Sequence, residues 1–404
     1  VVPRKEAVVS VGTAFHPRTA QLNEKMSWGE WSGYFAAQVY ADFHDIEYNA
    51  IREAAALIDV TPLYKYVVSG PDATVLVNRV MTRDASKMKV GQVVYTPWCD
   101  ERGKVIDDGT VQKRGEQEYF WTAADPSFRW FHLNAHGLDV RMEDVSERVA
   151  GVALQGPRSR NILEAATGRD WSDVRYFFAR RTEIGGIDAF VSRTGYTGDL
   201  GYEIWVDGED ALDLWDAIWE AGEAFQLRPA GIHALDVSRV EAGLILLEAD
   251  YTSARHAISA EQEYSPFEIG LGRLVDFSKP EFVGRRALEL EQASGGPARR
   301  LVGIEIDWSG IEALFAKHDQ PPAVSATVQR EAVPLFAGGK RIGRATSIVW
   351  GPTIKKMVGF ASVPPSQATI GTRLSVEWSV EGERGKVGAT VVETPFLDLP
   401  RKRA

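Results

Sequence analysis

Arg193-Thr194-Gly195-Tyr196-Thr197-Gly198-Asp199-Leu200-Gly201-Tyr202-Glu203-Ile204 sets three glycines within seven positions, with two tyrosines and a glutamate among them. Glycine lets a backbone turn tightly, or approach a flat ligand, because no Cβ stands in the way. Tyr202-Glu203-Ile204-Trp205-Val206 then reads as a short strand, which fixes Glu203 on a sheet. A fixed carboxylate accepts two parallel hydrogen bonds from a flat N–H/NH2 edge, such as the amino-pyrimidine face of a pterin. A Gly-rich hairpin with surface polar residues is the plainer reading of the same spacing.

A second stretch runs Tyr95-Thr96-Pro97-Trp98-Cys99-Asp100-Glu101-Arg102-Gly103-Lys104-Val105-Ile106-Asp107-Asp108-Gly109-Thr110-Val111. It reads as a turn followed by a strand with two adjacent acids. Alternation puts Asp107 and Asp108 on opposite strand faces. One acid can then face water while the other points inward, and an inward carboxylate needs a partner or a function. A pair of acids at a strand edge needs neither.

Composition sets the bounds. A chain of 404 residues, 44% hydrophobic and 25% charged, has room for two or three domains around a large core. The net charge of −10 argues against nonspecific nucleic-acid binding. Pro400-Arg401-Lys402-Arg403 reads as a solvated tail. The single cysteine, Cys99, fits a reducing compartment. No apolar run approaches the roughly 20 residues that span a bilayer. Val1-Val2-Pro3-Arg4-Lys5-Glu6 has no apolar secretory segment behind it. These features predict a cytoplasmic protein with no membrane partner. Of the 12 tryptophans, Trp28, Trp31 and Trp98 fall near the candidate site, although core packing takes most tryptophan area.

Helical and strand patterns mix without regular βαβ alternation, which predicts an α+β fold. Glu209–Gly222 reads as an amphipathic helix, with Leu212, Trp215, Ala217, Ile218 and Trp219 as its apolar positions. Gln292-Ala293-Ser294-Gly295-Gly296-Pro297-Ala298 reads as a linker. Beyond it, Leu301–Ile306 and Arg373–Trp378 read as strands of a β-rich C-terminal domain. The seven histidines and Cys99 form no spaced metal-ligand motif, so no metal is expected. No G-x-S-x-G, P-loop or G-x-G-x-x-G signature appears. His233 and His256 are lone histidines, which are more often structural than catalytic.

The two opening stretches resemble the folate-binding T-protein (aminomethyltransferase) family of the glycine cleavage system and its relatives. Weaker segments follow in the family's order. They are Ala50-Ile51-Arg52 through Leu57–Thr61, Ser69-Gly70-Pro71-Asp72-Ala73, Leu154-Gln155-Gly156-Pro157 and Arg239-Val240-Glu241-Ala242-Gly243. Phe282–Leu288, Gly343–Ser347 and Val358–Ala361 complete the series. The resemblance implies a three-part cloverleaf around a central tetrahydrofolate cavity, with a C-terminal β-barrel. The domains would be 1–291, two intertwined α+β subdomains that bind folate, and 299–404, the barrel. Asp108 falls on the family's acid, implying electrostatic and acid–base work beside N5 and N10 of the folate, with Asp107 the alternative if the register is one residue off. Glu203 corresponds to the pterin-edge acceptor. Tyr196 and Tyr95 match tyrosines lining the cavity, and Thr122 matches a small polar residue on a neighbouring strand.

The departures concern the one-carbon donor. Where glycine-cleavage enzymes have Ala-Arg-Asp before the Arg-x-Glu-Ala-Gly helix, this chain has Ala234-Leu235-Asp236. Their Asp-Val-Ser-His-Met becomes Asp59-Val60-Thr61-Pro62-Leu63. Met81–Gln92 looks like the version in free-standing demethylases of the family. The aromatic segment Phe15-His16, Trp28, Trp31 and Tyr34 reads equally as an apolar mouth or as a packed N-terminal helix. The expectation is a transferase that moves a methyl or methylene group from a small-molecule donor, such as an aryl ether or methylenedioxy compound, to tetrahydrofolate, with no carrier protein. The alternatives are a glycine-cleavage aminomethyltransferase acting on an aminomethyl-lipoyl carrier protein and a non-catalytic folate-binding regulatory protein.

Overall fold

The computed structural model describes residues 9–404, so the segment Val1–Glu6 lies outside the described residues. The architecture is α+β, with three large β-layers and, among the described residues, a two-stranded hairpin that pairs Ser27–Trp31 with Tyr34–Val39. A six-stranded sheet runs in the order Ala179–Ile184, Ile187–Ser192, Gly201–Asp207, Val149–Gln155, Ala55–Asp59, Leu227–Pro229. A five-stranded sheet runs Val93–Cys99, Val105–Gly115, Glu118–Ala123, Tyr64–Ser69, Arg141–Asp144. Six strands between Arg300 and Val392 close into a barrel. Closure leaves the barrel without exposed edges.

Each layer follows its sequence pattern. On the Gly201–Asp207 strand, Tyr202 and Ile204 are fully buried under helices Ser159–Thr167 and Ala211–Gly222, while Glu203 and Trp205 face the other way. The Ala211–Gly222 helix buries Leu214, Trp215 and Ile218, the i, i+1, i+4 stripe of an amphipathic helix. Its lead-in turn is capped by Asp207, whose carboxylate accepts the Glu209 N–H at 3.2 Å. The five-stranded sheet packs its outer face on helices Ala73–Val80 and Phe128–Asn134. A separate apolar cluster joins all three layers: Phe120 from the five-stranded sheet, Trp205 from the six-stranded sheet, and Val349 and Phe360 from the barrel. Tyr95 and Tyr251 of this seam both donate to Asp108, and Tyr196 packs on the same cluster.

Buried charge ties the barrel to the rest. Arg239 on helix Ile232–Glu241 is fully buried and donates to Asp236 (2.7 Å), Asp250 (2.6 Å) and Ser347 of the barrel (2.7 Å). Asp250 also accepts from the hydroxyls of Thr346 and Ser347. Tyr48, Arg52 and Glu241 form a second such knot, which Thr353 joins from the barrel.

The basic C-terminal segment corrects its sequence reading as a solvated tail. Arg401 makes a two-pronged contact, at 2.7 and 2.8 Å, with Asp199, whose side chain is completely buried. A buried carboxylate needs such partners, and a second arginine, Arg52, lies 3.6 Å away. Among the described residues no helix is long and apolar enough to cross a membrane.

Candidate active site

A β-bulge decides which acid of the pair faces the seam. Cys99 pairs with Val105, but Trp98 pairs with Asp107, so Ile106 is the extra residue. The bulge directs Ile106 and Asp107 to the side of Trp98, towards the outer core, and turns Asp108 to the opposite side. Asp107 is fully buried, and its carboxylate accepts three backbone N–H groups, from Asp108 (2.7 Å), Ala124 (3.0 Å) and Asp125 (2.9 Å). That set makes Asp107 a structural clamp on the loop after the Glu118–Ala123 strand. Trp98 belongs to the same outer core and does not line the site, against its sequence reading.

Asp108 is half-buried, and each of its oxygens meets a tyrosine. Tyr95 donates to Oδ2 at 2.5 Å, and the fully buried Tyr251 donates to Oδ1. Tyr95 lies on the adjacent strand, opposite Thr110, which puts it on the same sheet face as Asp108. Tyr251 arrives from 143 residues away in sequence, on the loop that Arg239 and Asp250 hold. Burial pushes the Asp108 carboxyl above the ordinary aspartate range, and the Tyr251 and Tyr95 hydroxyls pull it partly back. Burial also raises both tyrosines, followed by the charge of Asp108, so they remain protonated donors.

Thr122 lies on the same face, where its hydroxyl pairs with that of Thr110 at 2.7 Å. Tyr196 closes the cluster on another side. Its hydroxyl donates to the carbonyl of Ile245, and its raised affinity for the proton, mainly a result of burial, owes part to Asp108. Tyr95, Asp108 and Tyr196 are thus brought together, and Tyr251 joins them. The sequence reading missed Tyr251 because a lone tyrosine in a loop carries no periodic signal.

Glu203 faces the seam from the other sheet. Its carboxylate accepts the Thr194 hydroxyl at 2.5 Å, and Thr194 in turn pairs with Ser192 at 2.7 Å. Burial raises the Glu203 carboxyl, and the Thr194 hydroxyl lowers it. With one side-chain donor on a carboxylate that has room for about four, Glu203 keeps acceptor capacity for a flat N–H edge. No hydrogen bond joins it to Asp108 among the described residues. The glycines of its loop serve a neighbour rather than a ligand. A Cβ at Gly195 would stand 2.1 Å from the Gln155 side chain, and one at Gly201 2.4 Å from it. Gln155 fills that space and accepts the Thr197 hydroxyl at 2.8 Å, which fixes the loop from inside.

The N-terminal aromatics divide. Phe15 is fully buried and packs on Trp215 at 5.8 Å, in the core behind the six-stranded sheet, so it lines no mouth. Trp31 packs on the seam cluster, and Trp28 meets the His16 ring at a tilt of 53°, 4.9 Å between centroids. Leu235 is buried in the seam and Leu63 packs against it, so both departures from the family pattern add apolar wall. His256 bonds Glu248 at 2.9 Å and lies 3.5 Å from Asp125, away from Asp108.

Comparison with known proteins gives a consistent result. The GCVT N-terminal domain pattern matches residues 14–279, and the glycine cleavage T-protein C-terminal barrel pattern matches residues 299–398. The chain is 36% identical to an aminomethyltransferase from Geobacillus thermodenitrificans, over 87% of this chain and 89% of that protein. It is 32% identical to a trimethylamine-oxide aldolase from Ruegeria pomeroyi, over 99% of this chain but 49% of that longer protein. The crystal structure of glycine cleavage system aminomethyltransferase T from Bartonella henselae superposes with a TM-score of 0.80 over 96% of this chain and 98% of that one, at 24% identity, a likeness of fold. The expectation that no carrier protein takes part is overturned by these relatives. Most are aminomethyltransferases, the activity for which the family resemblance names a lipoyl carrier protein as donor. Two apolar substitutions near the cavity are too little to outweigh similarity along most of the chain.

Proposed function

Because the chain belongs to the glycine cleavage T-protein family, we propose that it is an enzyme that transfers a one-carbon unit to tetrahydrofolate, with Asp108 as its acid–base group. The observation that carries this reading is Asp108 held by two tyrosine hydroxyls on the five-stranded sheet, with the under-satisfied Glu203 on the six-stranded sheet in support. Glu203 would hold the pterin edge, with Tyr95, Tyr196 and Thr122 around it. Tetrahydrofolate, when bound, supplies the N5 and N10 nitrogens that accept the carbon.

Asp108 is suited to hold or release a proton beside those nitrogens. A raised carboxyl picks up a proton more readily near neutral pH than a free aspartate does. The tyrosine hydroxyls fix its plane and favour its ionised form. The donor on this reading is an aminomethyl group on a lipoyl carrier protein, in keeping with the aminomethyltransferase relatives. A small methyl or methylene compound is the second reading, favoured by the apolar Leu235 and Leu63 and by the name of the trimethylamine-oxide aldolase relative. Incubation with tetrahydrofolate and each donor class, with mass detection of methyl- or methylene-folate, separates the two. Failure of every donor, carrier protein included, would refute the transferase reading.

One pH prediction follows from the tyrosines. Wild-type kcat/KM should fall as pH drops through a group lying above the usual aspartate range. Tyr251→Phe removes a donor to the ionised carboxylate, so the Asp108 value rises further and the acidic limb moves to higher pH. A pH–rate profile checks this, and an unmoved limb would remove Asp108 from the titration.

A further inference from the structure

Away from Asp108, a cleft of about 540 Å³ opens between the far end of the Val105–Gly115 strand and the edge formed by Ala179–Ile184, Ile187–Ser192 and Gly201–Asp207. Arg114 lines it as the extra residue at a second bulge, between Lys113 and Gly115. Its guanidinium lies between two rings, 3.7 Å from the centroid of Phe120 and 4.2 Å from that of Phe190. Its Nε and Nη2 are buried with no hydrogen-bond partner among the described residues, and so is the indole Nε1 of Trp205, which also lines the cleft. Gln112, two residues before Arg114, leaves both amide atoms buried without a partner.

Such groups are costly. A buried donor without an acceptor keeps its full desolvation penalty, which is larger when the group is charged. Packing alone does not explain the choice, because a methionine would fill the gap between two rings without an unpaired charge. The acids nearby do not answer it. Asp188 is bound by both prongs of Arg181, and Glu118 acts on Arg114 only through space. Burial lowers the Arg114 guanidinium from its ordinary range, and the charge of Glu118 restores only part of that loss.

We propose that this cleft is a binding site for a carboxylate-bearing aromatic anion, held by Arg114 and the Trp205 indole N–H between aromatic walls. The flat fork of a guanidinium matches a carboxylate. Four arginines and three acids line the cleft, a net single positive charge that suits a monoanion better than a phosphate dianion. The Nε–Nη2 edge of Arg114 is buried, so the side chain must shift towards the cleft when the anion arrives.

Calorimetry on the full chain with sodium benzoate, acetate and inorganic phosphate as probes tests the assignment without folate. Saturable benzoate binding, one per chain, is expected, with acetate and phosphate weaker. Arg114→Met should weaken benzoate at least tenfold and raise the thermal midpoint in its absence. Arg114→Lys, which keeps the charge but not the fork, should also weaken it, and it decides the matter if the methionine variant does not fold. The proposal is overturned by absent benzoate binding, by equal affinity in the variants, or by phosphate binding more tightly than benzoate.

Discussion

Asp108→Asn is expected to cut turnover by roughly 10²- to 10⁴-fold, the range that a positioned acid–base group contributes, while tetrahydrofolate affinity changes little. The substitution keeps shape and one acceptor oxygen but removes the proton-carrying group. Stability should move in the opposite direction to activity. A carboxyl whose folded value lies above its unfolded value loses stability as pH rises through that interval. At neutral pH the asparagine variant escapes that cost, so its thermal midpoint should equal or exceed the wild type. Asp107→Asn is the control: its NH2 would confront backbone N–H donors, so it should lower the midpoint. Single-turnover kinetics beside a melting curve distinguish the two residues, and normal turnover by Asp108→Asn would end its catalytic assignment.

The second large effect is structural. Arg239→Leu should destabilise the fold by about 3–5 kcal/mol, the cost of removing one partner from a buried ion pair. The change leaves Asp250 with neutral partners only, namely Thr346, Ser347 and the Leu246 N–H. Asp236 retains Arg330 at 2.8 Å. Because Asp250 precedes Tyr251, the loss should also displace a donor to Asp108 and lower activity in the fraction that remains folded. Denaturant unfolding measures the first effect. A change within about 0.5 kcal/mol, the range of ordinary surface substitutions, would show that the buried network is not what holds the barrel to the seam.

The sequence carried the elements and their order, and the failures have specific causes. Alternation placed Asp107 and Asp108 on opposite faces, but the Ile106 bulge decides which face is which, and an extra residue in a strand leaves no mark in a hydrophobic pattern. The Gly195 and Gly201 positions were legible as sites where a Cβ is excluded. That the excluding group is Gln155, some forty residues earlier on a neighbouring strand, was not. Tyr251 and Arg401 act through partners 143 and 202 residues distant, contacts that local periodicity does not report. Phe15 was readable as apolar, but only the packed structure assigns it to the core against Trp215 and not to a ligand mouth.

Titration calorimetry with tetrahydrofolate, on wild type and on Glu203→Ala, tests the central claim most directly. Wild type should bind one tetrahydrofolate saturably. Loss of a charged acceptor, worth roughly 1.5–3 kcal/mol, should weaken the variant by roughly 10- to 150-fold. Absence of tetrahydrofolate binding by the wild type, or equal affinity in the two proteins, would contradict the account.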